Sequence, residues 1–359
     1  MIRVLIVDDS PTLRQVLQAV LESDPAIKVI GMAANGREGV QKTIELKPDL
    51  VTMDVQMPIM DGMEATRLIM ERQPTPIIVV SALTDDPDLS VSFNAIRAGA
   101  LQVLEKPIGP LSGILPPQSA ALIMAVKLMS EVRVIRRRFS STLAVSAAHA
   151  NAPVMPHTAQ LDLVAIGAST GGPAALNTIL KALPADFAVP VVIVQHISTG
   201  FTEGLVNWLQ RECLLKLRIV VDRQVVTTGE VYFAPDDRHL VFSATGVLGL
   251  TAAPPVNHVR PSVSVLFDTA ADWYRSAVIG VLLTGMGEDG AWGLKKIHER
   301  GGLTIAQDEA TSVVYGMPKV AAELGAVDHV LPVGEIAPFL VRSTRRASQT
   351  YANFTSHAP

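Results

Sequence analysis

Along residues 1–109, short aliphatic runs alternate with amphipathic ones. "IRVLIV" precedes "PTLRQVLQAVLES", "IKVIGMA" precedes "GREGVQKTIELK", "DLVTMD" precedes "MEATRLIMERQ", "PIIVVSA" precedes "DLSVSFNAIRAG", and "LQVLEKP" closes the series. Five predicted strands alternating with helices imply a parallel sheet covered on both faces. From residue 161 the pattern starts afresh. "LDLVAIGASTGGPAALNTILKAL" reads as strand, Gly-rich turn and helix, "VPVVIVQHISTGF" as strand and loop, and "SAVIGVLLTGMGEDGAWGLKKIHERGG" as strand, Gly-rich loop and helix. The expectation is α/β throughout, as two parallel-sheet three-layer domains: an N-terminal (βα)5 unit and a C-terminal doubly wound one.

Between the two patterns, "SAALIMAVKLMSEVRVIRRRF" sets Leu122, Val126, Met129, Val132, Ile135 and Phe139 at three- or four-residue spacing. That spacing predicts a helix with one apolar face over about 118–139, closing the first domain. Residues 140–158 are rich in Ala, Ser and Pro with little to pack and read as a linker. The expected organisation is a domain at 1–139, a second at 159–345, and a basic, polar tail at 346–359 that is disordered.

A net charge of −4 and a pI near 6.1 give no general attraction to nucleic acid. The charge is uneven: residues 1–109 carry 10 basic and 15 acidic side chains, residues 110–158 carry 5 and 1, and the remainder 15 and 18. The single cysteine, Cys213, cannot form an internal disulfide, and it reads as packing in a helical stretch. No apolar run nears the roughly 18 residues of a membrane span, and an acidic pair comes before any signal-like stretch. A cytoplasmic protein with no membrane insertion is expected.

In open parallel sheets, ligands sit at the carboxyl ends of the strands. In the first half, Asp8 and Asp9 follow the first predicted strand, Asp54 the third, Ser81 the fourth and Lys106 the fifth. Clustered carboxylates repel in a low dielectric, and a hard, oxygen-seeking cation such as Mg²⁺ neutralises them. Asp54 then suits a nucleophile that becomes an acyl phosphate, with Mg²⁺, Lys106 and Ser81 holding its oxygens. The plain alternative is that Asp8 or Asp9 caps the helix beginning near Pro11.

"IVDDS", "MDVQMPIMDG", "VVSA" and "EKP", in that order and spacing, resemble the receiver domain of bacterial response regulators over residues 1 to about 110. The resemblance implies phosphorylation of Asp54 by a histidine kinase. It implies Mg²⁺ held by Asp8, Asp9, Asp54 and the backbone carbonyl of Gln56, with Ser81 and Lys106 as a switch pair. Receivers often carry Tyr or Phe three residues before the lysine; Val103 stands there in this chain.

The strand ends of the second half present Ser169, His196 and Asp289. Gly167-Ala168-Ser169-Thr170-Gly171 fits the G-x-S-x-G turn that presents a serine at a helix N-terminus, and His196 after "VVIVQ" emerges at the same sheet edge as a general base. Asp289 follows another aliphatic strand and would complete the set, with Glu288 its nearest competitor and Asp308 a more distant one. Each has a modest alternative: Ser169 as a helix cap, His196 as a structural histidine, Asp289 as the cap of the helix starting near Gly290. No Cys and His cluster has metal-ligand spacing, so no cofactor is expected in this half.

The order Ser, His, Asp departs from that of α/β-hydrolases. "IGASTGG", "VQHISTGFTEGL", "YFAPDDRHL", "LLTGMGEDGAWGL" and "AQDEATSVVYGMP" instead resemble the catalytic domain of chemotaxis protein-glutamate methylesterases, the CheB family, over about 161–340. Receiver followed by this domain is the architecture of that family. The resemblance implies attack by Ser169 on glutamate methyl esters of methyl-accepting chemotaxis receptors, with His196 as base and Asp289 as its orienting partner, and deamidation of receptor glutamines. Backbone donors near Thr170 and Met286 are the oxyanion candidates. The pair His258 and Arg260 could meet the acidic region of a receptor, while a turn role suits His239. A docking protein without catalysis and a DNA-binding regulator are the other classes; the second lacks a basic recognition helix.

Overall fold

The computed structural model describes residues 1–81, 93–107, 117–132, 134 and 161–354, with residues 117 and 345–354 as backbone only. In the first half, β1 (Ile2–Val7), β2 (Ile27–Ala33), β3 (Leu50–Met53), β4 (Ile77–Ser81) and β5 (Gln102–Glu105) form one parallel sheet in the order β2-β1-β3-β4-β5. Every residue of β3 and β4 is buried, which is why these runs are mostly aliphatic rather than alternating, with only Thr52 and Ser81 polar. The helices are α1 (Pro11–Leu21), α2 (Gly36–Leu46), α3 (Gly62–Arg72), α4 (93–98) and α5 (Pro117–Met129).

The N-termini of these helices explain how the strand-end carboxylates are left free. Ser10 caps α1, accepting from Leu13 N at 3.3 Å, so neither Asp8 nor Asp9 has that role. Asn35 caps α2 and Asp61 caps α3, each cap contributing about 1 kcal/mol.

The helix expected over 118–139 ends at Met129, where residues 130 and 131 turn. The rest of that expected span, residue 133 and 135–139, and the linker at 140–158 lie outside the described residues.

In the second half, seven parallel strands run in the order β15-β14-β13-β6-β7-β10-β8. They are β6 (Leu163–Ala168), β7 (Val191–Gln195), β8 (Lys216–Ile219), β10 (Glu230–Phe233), β13 (Val278–Leu282), β14 (Leu303–Gln307) and β15 (His329–Leu331). Beside them, β9 (Gln224–Val225), β11 (His239–Ala244) and β12 (Val247–Thr251) make a small antiparallel sheet that the parallel pattern did not predict. The helices are α6 (Gly172–Ala182), α7 (Thr202–Gln210), α8 (Val263–Tyr274), α9 (Ala291–Glu299), α10 (Met317–Glu323) and α11 (Val333–Phe354). The backbone of α11 runs past residue 346, where a disordered tail was expected. That stretch, "RASQTYANF", lacks the Gly and Pro that would stop a helix.

The two halves touch. Phe93 of α4 stacks on Trp208 of α7 with ring centroids 5.9 Å apart, and both side chains are buried. Arg97 Nη1 reaches Glu212 at 2.7 Å, and Lys181 Nζ reaches the same carboxylate at 3.1 Å. Val313 and Val314 pack against the first half's core of Leu101, Leu104, Leu122 and Val126.

Candidate active site

Asp8, Asp9 and Asp54 converge at the carboxyl ends of β1 and β3, their carboxylate oxygens within 4.8 Å of one another. Lys106, just past β5, reaches Asp54 Oδ2 at 2.8 Å and Asp8 Oδ2 at 3.0 Å. Its backbone N–H donates to the carbonyl of Ser81 at 2.8 Å, tying the ends of β4 and β5 together. Burial pushes the Asp54 carboxyl above its usual range, and the Asp8 charge adds to that, against the pull of Lys106. Asp8 is 1% exposed, and its Oδ2 has only the ion-pair approach of Lys106, with no hydrogen bond of good geometry. A buried, under-satisfied oxygen beside two more carboxylates is a donor set that fits Mg²⁺. Gln56 lies two residues beyond Asp54 in the following loop and is exposed.

In the other sheet, β6 delivers Ser169, β7 delivers His196 and the loop after β13 delivers Asp289. Ser169 is not the cap of α6: that position is Gly171, with φ +79°, where an added Cβ would come within 2.5 Å of Val313. Glycine is therefore required in the turn by both conformation and space. Asp289 likewise does not cap α9, whose N-cap is Gly290.

Asp289 Oδ2 accepts from His196 Nε2 at 2.9 Å and from Val263 N at 2.6 Å. Its Oδ1 accepts from Ser262 Oγ at 2.8 Å, Ser264 N at 3.2 Å and Asn257 Nδ2 at 3.4 Å. The carboxylate thus sits on the N-terminus of α8, where free N–H groups and the helix dipole favour negative charge. Burial would raise its pKa, but the hydrogen bond and charge of His196, with the hydrogen bonds of Ser262 and Ser264, hold it far below the ordinary carboxylate range. Glu288 is exposed, and Asp308 accepts from Thr311 N in its own loop, so neither competes.

Ser169 and His196 line one cleft, although among the described residues no hydrogen bond joins their side chains. Such bonds often form only once substrate is bound. A Cβ on Gly285 would lie 2.7 Å from Ser169 Cβ, which brings the Gly285–Met286 turn against the serine. Ser169 N donates to Thr284 O and Gly285 N to Val314 O, but among the described residues no backbone carbonyl takes the amide of Thr170 or Met286.

The cleft is roofed from the other half of the chain. Phe93, Leu101, Gln102 and Val103 line it opposite Ser169, Thr170, Gln195 and His196, leaving about 30 Å³. That is space for about one water, and too little for a long side chain to enter.

Several participants had not been predicted from sequence: Ser262 and Asn257 on Asp289, Gln195 in the cleft wall and Phe93 in its roof, while Val103, already singled out, takes an unforeseen place in that roof. Ser262 before "VSVLF" carried an N-cap signature that pointed to the helix start beneath Asp289. Arg260 is spent on Asp237, at 2.6 and 2.9 Å, rather than projecting freely. His239 is fully buried, its Nδ1 accepting from Ser262 N at 3.1 Å. Cys213 lies past the end of α7 at Gln210 rather than in a helix, and burial pushes its thiol up, consistent with packing.

The CheB methylesterase family model matches residues 164–340, and the response regulator receiver domain matches residues 4–112. The chain belongs to the CheB methylesterase family, with a receiver domain at its N-terminal end. It is an enzyme, a hydrolase. A relative from Syntrophus aciditrophicus, "Protein-glutamate methylesterase/protein-glutamine glutaminase 1", is 46% identical over 95% of this chain and 98% of that one. A relative from Myxococcus xanthus, "Protein-glutamate methylesterase/protein-glutamine glutaminase 4", is 44% identical over 96% and 97%. The crystal structure of the Thermotoga maritima CheB methylesterase catalytic domain superposes with a TM-score of 0.50 at 41% identity, over 51% of this chain and 99% of that one. No helix among the described residues is long and apolar enough to cross a membrane.

Proposed function

We propose that the enzyme hydrolyses glutamate methyl esters on methyl-accepting chemotaxis receptors, deamidates receptor glutamines by the same route, and is switched on when a histidine kinase phosphorylates Asp54. The observation that carries the reading is the convergence of Ser169, His196 and Asp289 at one end of a single parallel sheet, with Asp289 hydrogen-bonded to His196 at 2.9 Å. Ser169 Oγ adds to the ester carbonyl while His196 takes its proton through Nδ1, the ring nitrogen not engaged by Asp289. The buried carboxylate of Asp289 stabilises the imidazolium that results. Charge developing on the carbonyl oxygen is met by the free amides of Thr170 and Met286. His196 then protonates the departing methoxide, and methanol leaves an acyl-enzyme. A water deprotonated by His196 releases Ser169 and the receptor carboxylate. With glutamine the leaving group is ammonia.

The receiver is the gate of this site. Mg²⁺, when bound, would be held by Asp8, Asp9, Asp54 and the Gln56 carbonyl and supplies neutralising charge for the incoming phosphoryl group. Lys106 and Ser81 then turn to the phosphoryl oxygens. Lys106 lies three residues after Val103, so its movement acts on the strand that roofs Ser169. The switch is a shift between docked and released receiver, and a bias of a few kcal/mol suffices.

Methanol release from methylated receptor membranes tests both parts. Wild type is expected to release methanol, faster with Mg²⁺ and a small phosphoryl donor, and Ser169→Ala to release none. No release from folded wild type on competent substrate, in either condition, would favour a docking protein without catalysis.

A further inference from the structure

Gln195 ends β7 with its side chain only 6% exposed, and it lines the cleft beside Ser169 and His196. Its Nε2 donates to two carbonyls, that of Ser169 at 2.8 Å and that of His196 at 2.7 Å. Those carbonyls belong to turns leaving adjacent strands, β6 and β7, which are paired in register only as far as Ala168 and Gln195. Beyond that pair, His196 N still donates to Ala168 O at 2.9 Å. The ladder then stops and the chains diverge, one into the nucleophile turn and the other into "ISTGF". A primary amide carries two N–H donors on one planar nitrogen, so one side chain can hold both carbonyls at once. Among the described residues its Oε1 accepts no hydrogen bond, and a Cβ on Gly172 would lie 1.9 Å from that oxygen. The amide is thus pressed against the α6 N-terminus, and a buried acceptor is left unsatisfied to keep it there, a cost native proteins rarely carry without return.

We propose that Gln195 is a positioning residue for the esterase, clamping the Ser169 and His196 carbonyls so that the nucleophile and its base keep their separation where the sheet no longer does. The inference rests on the esterase reading above. Gln195 touches no reacting atom. Without its two donors, Ser169 O keeps, among the described residues, only the Gly172 N–H at 2.8 Å, and both turns gain freedom. Displacements of about 1 Å at a reacting centre lower rates by about 100-fold.

The test uses the full chain, phosphorylated with Mg²⁺ and a small phosphoryl donor, as wild type, Gln195→Met and Gln195→Glu. Methionine keeps the length and loses both donors. Glutamate keeps the shape and replaces the donor with an acceptor facing two carbonyl oxygens. Two rates are measured, methanol release from methylated receptor membranes and labelling of Ser169 by a fluorophosphonate, which needs no receptor; thermal unfolding is followed alongside. Both rates are expected to fall about 10- to 100-fold in Gln195→Met and further in Gln195→Glu, with KM for methylated receptor within about twofold of wild type. Wild-type rates in Gln195→Met, or in Gln195→Glu at neutral pH, would overturn the proposal, as would a loss seen in KM alone. Should Gln195→Met unfold early, Gln195→Glu, which preserves volume, carries the comparison. If no protein releases methanol yet labelling is fast in wild type and slow in both variants, the clamp stands and the receptor-esterase reading falls.

Discussion

Asp54 directly follows β3 and Asp289 lies in the loop after β13, both buried, yet their surroundings push their carboxyls in opposite directions. Burial raises both. Asp54 is left above its usual range because burial and the Asp8 charge outweigh a lysine that it shares with Asp8. Asp289 is pulled far below because His196, two serines and the N-terminus of α8 all serve it. An under-satisfied carboxylate cluster invites a cation and an electrophile; a fully satisfied carboxylate is held fixed and supports a neighbouring imidazolium. One sheet edge is thus built to be changed and the other to stay as it is.

The largest expected effect breaks the fixed side of that contrast. Asp289→Asn keeps the shape and removes the charge, and methanol release is expected to fall about 10⁴-fold with little change in KM, as steady-state kinetics would record. Next is the changeable side. Mg²⁺ at about 100 times its Kd is expected to stabilise the receiver by about 2.7 kcal/mol in thermal unfolding, and Asp8→Asn to remove most of that gain. Opposite pH signs follow from the same contrast. Asp289, whose carboxyl is depressed in the fold, contributes stability that is complete above the ordinary carboxylate range and is lost as pH falls from that range through its lower folded value. Asp54, whose carboxyl is raised, contributes stability present at acid pH and lost as pH rises through its folded value. Urea unfolding from neutral to acid pH is therefore expected to show a shallower loss in Asp289→Asn than in wild type, and a steeper one in Asp54→Asn.

Smaller effects lie where the regions meet. Phe93→Ala removes the stack on Trp208, and methanol release without phosphorylation is expected to rise about 10-fold. Arg97→Ala removes an ion pair whose arginine is half exposed, and the same assay is expected to show a rise of only about 1.5- to 5-fold.

The positions of Asp8, Asp54, Lys106, Ser169, His196 and Asp289 were legible because strand ends are written in local pattern: an aliphatic run, then a polar residue, then glycine or a cap. The small sheet of β9, β11 and β12 was missed because its strands do not alternate with helices along the chain, although Thr245-Gly246 between alternating runs carried a hairpin signal. The support of Asp289 by Ser262 and the grip of Gln195 on two carbonyls depend on contacts between segments remote in sequence, to which periodicity is blind. The same holds for the roof over Ser169. Val103, noted as the place where many receivers carry an aromatic, turns out to face the cleft, and only the tertiary structure brings residues of β5 and of the turns after β6 and β7 to one cavity.

The most direct test of a gate worked from Asp54 is the rate at which a fluorophosphonate labels Ser169 in the full chain before and after phosphorylation with Mg²⁺ and a small phosphoryl donor. Phosphorylation is expected to raise that rate by about 10-fold or more, with no labelling in Ser169→Ala. An unchanged rate, with phosphorylation of Asp54 verified by mass, would contradict the coupling of the two sheet edges.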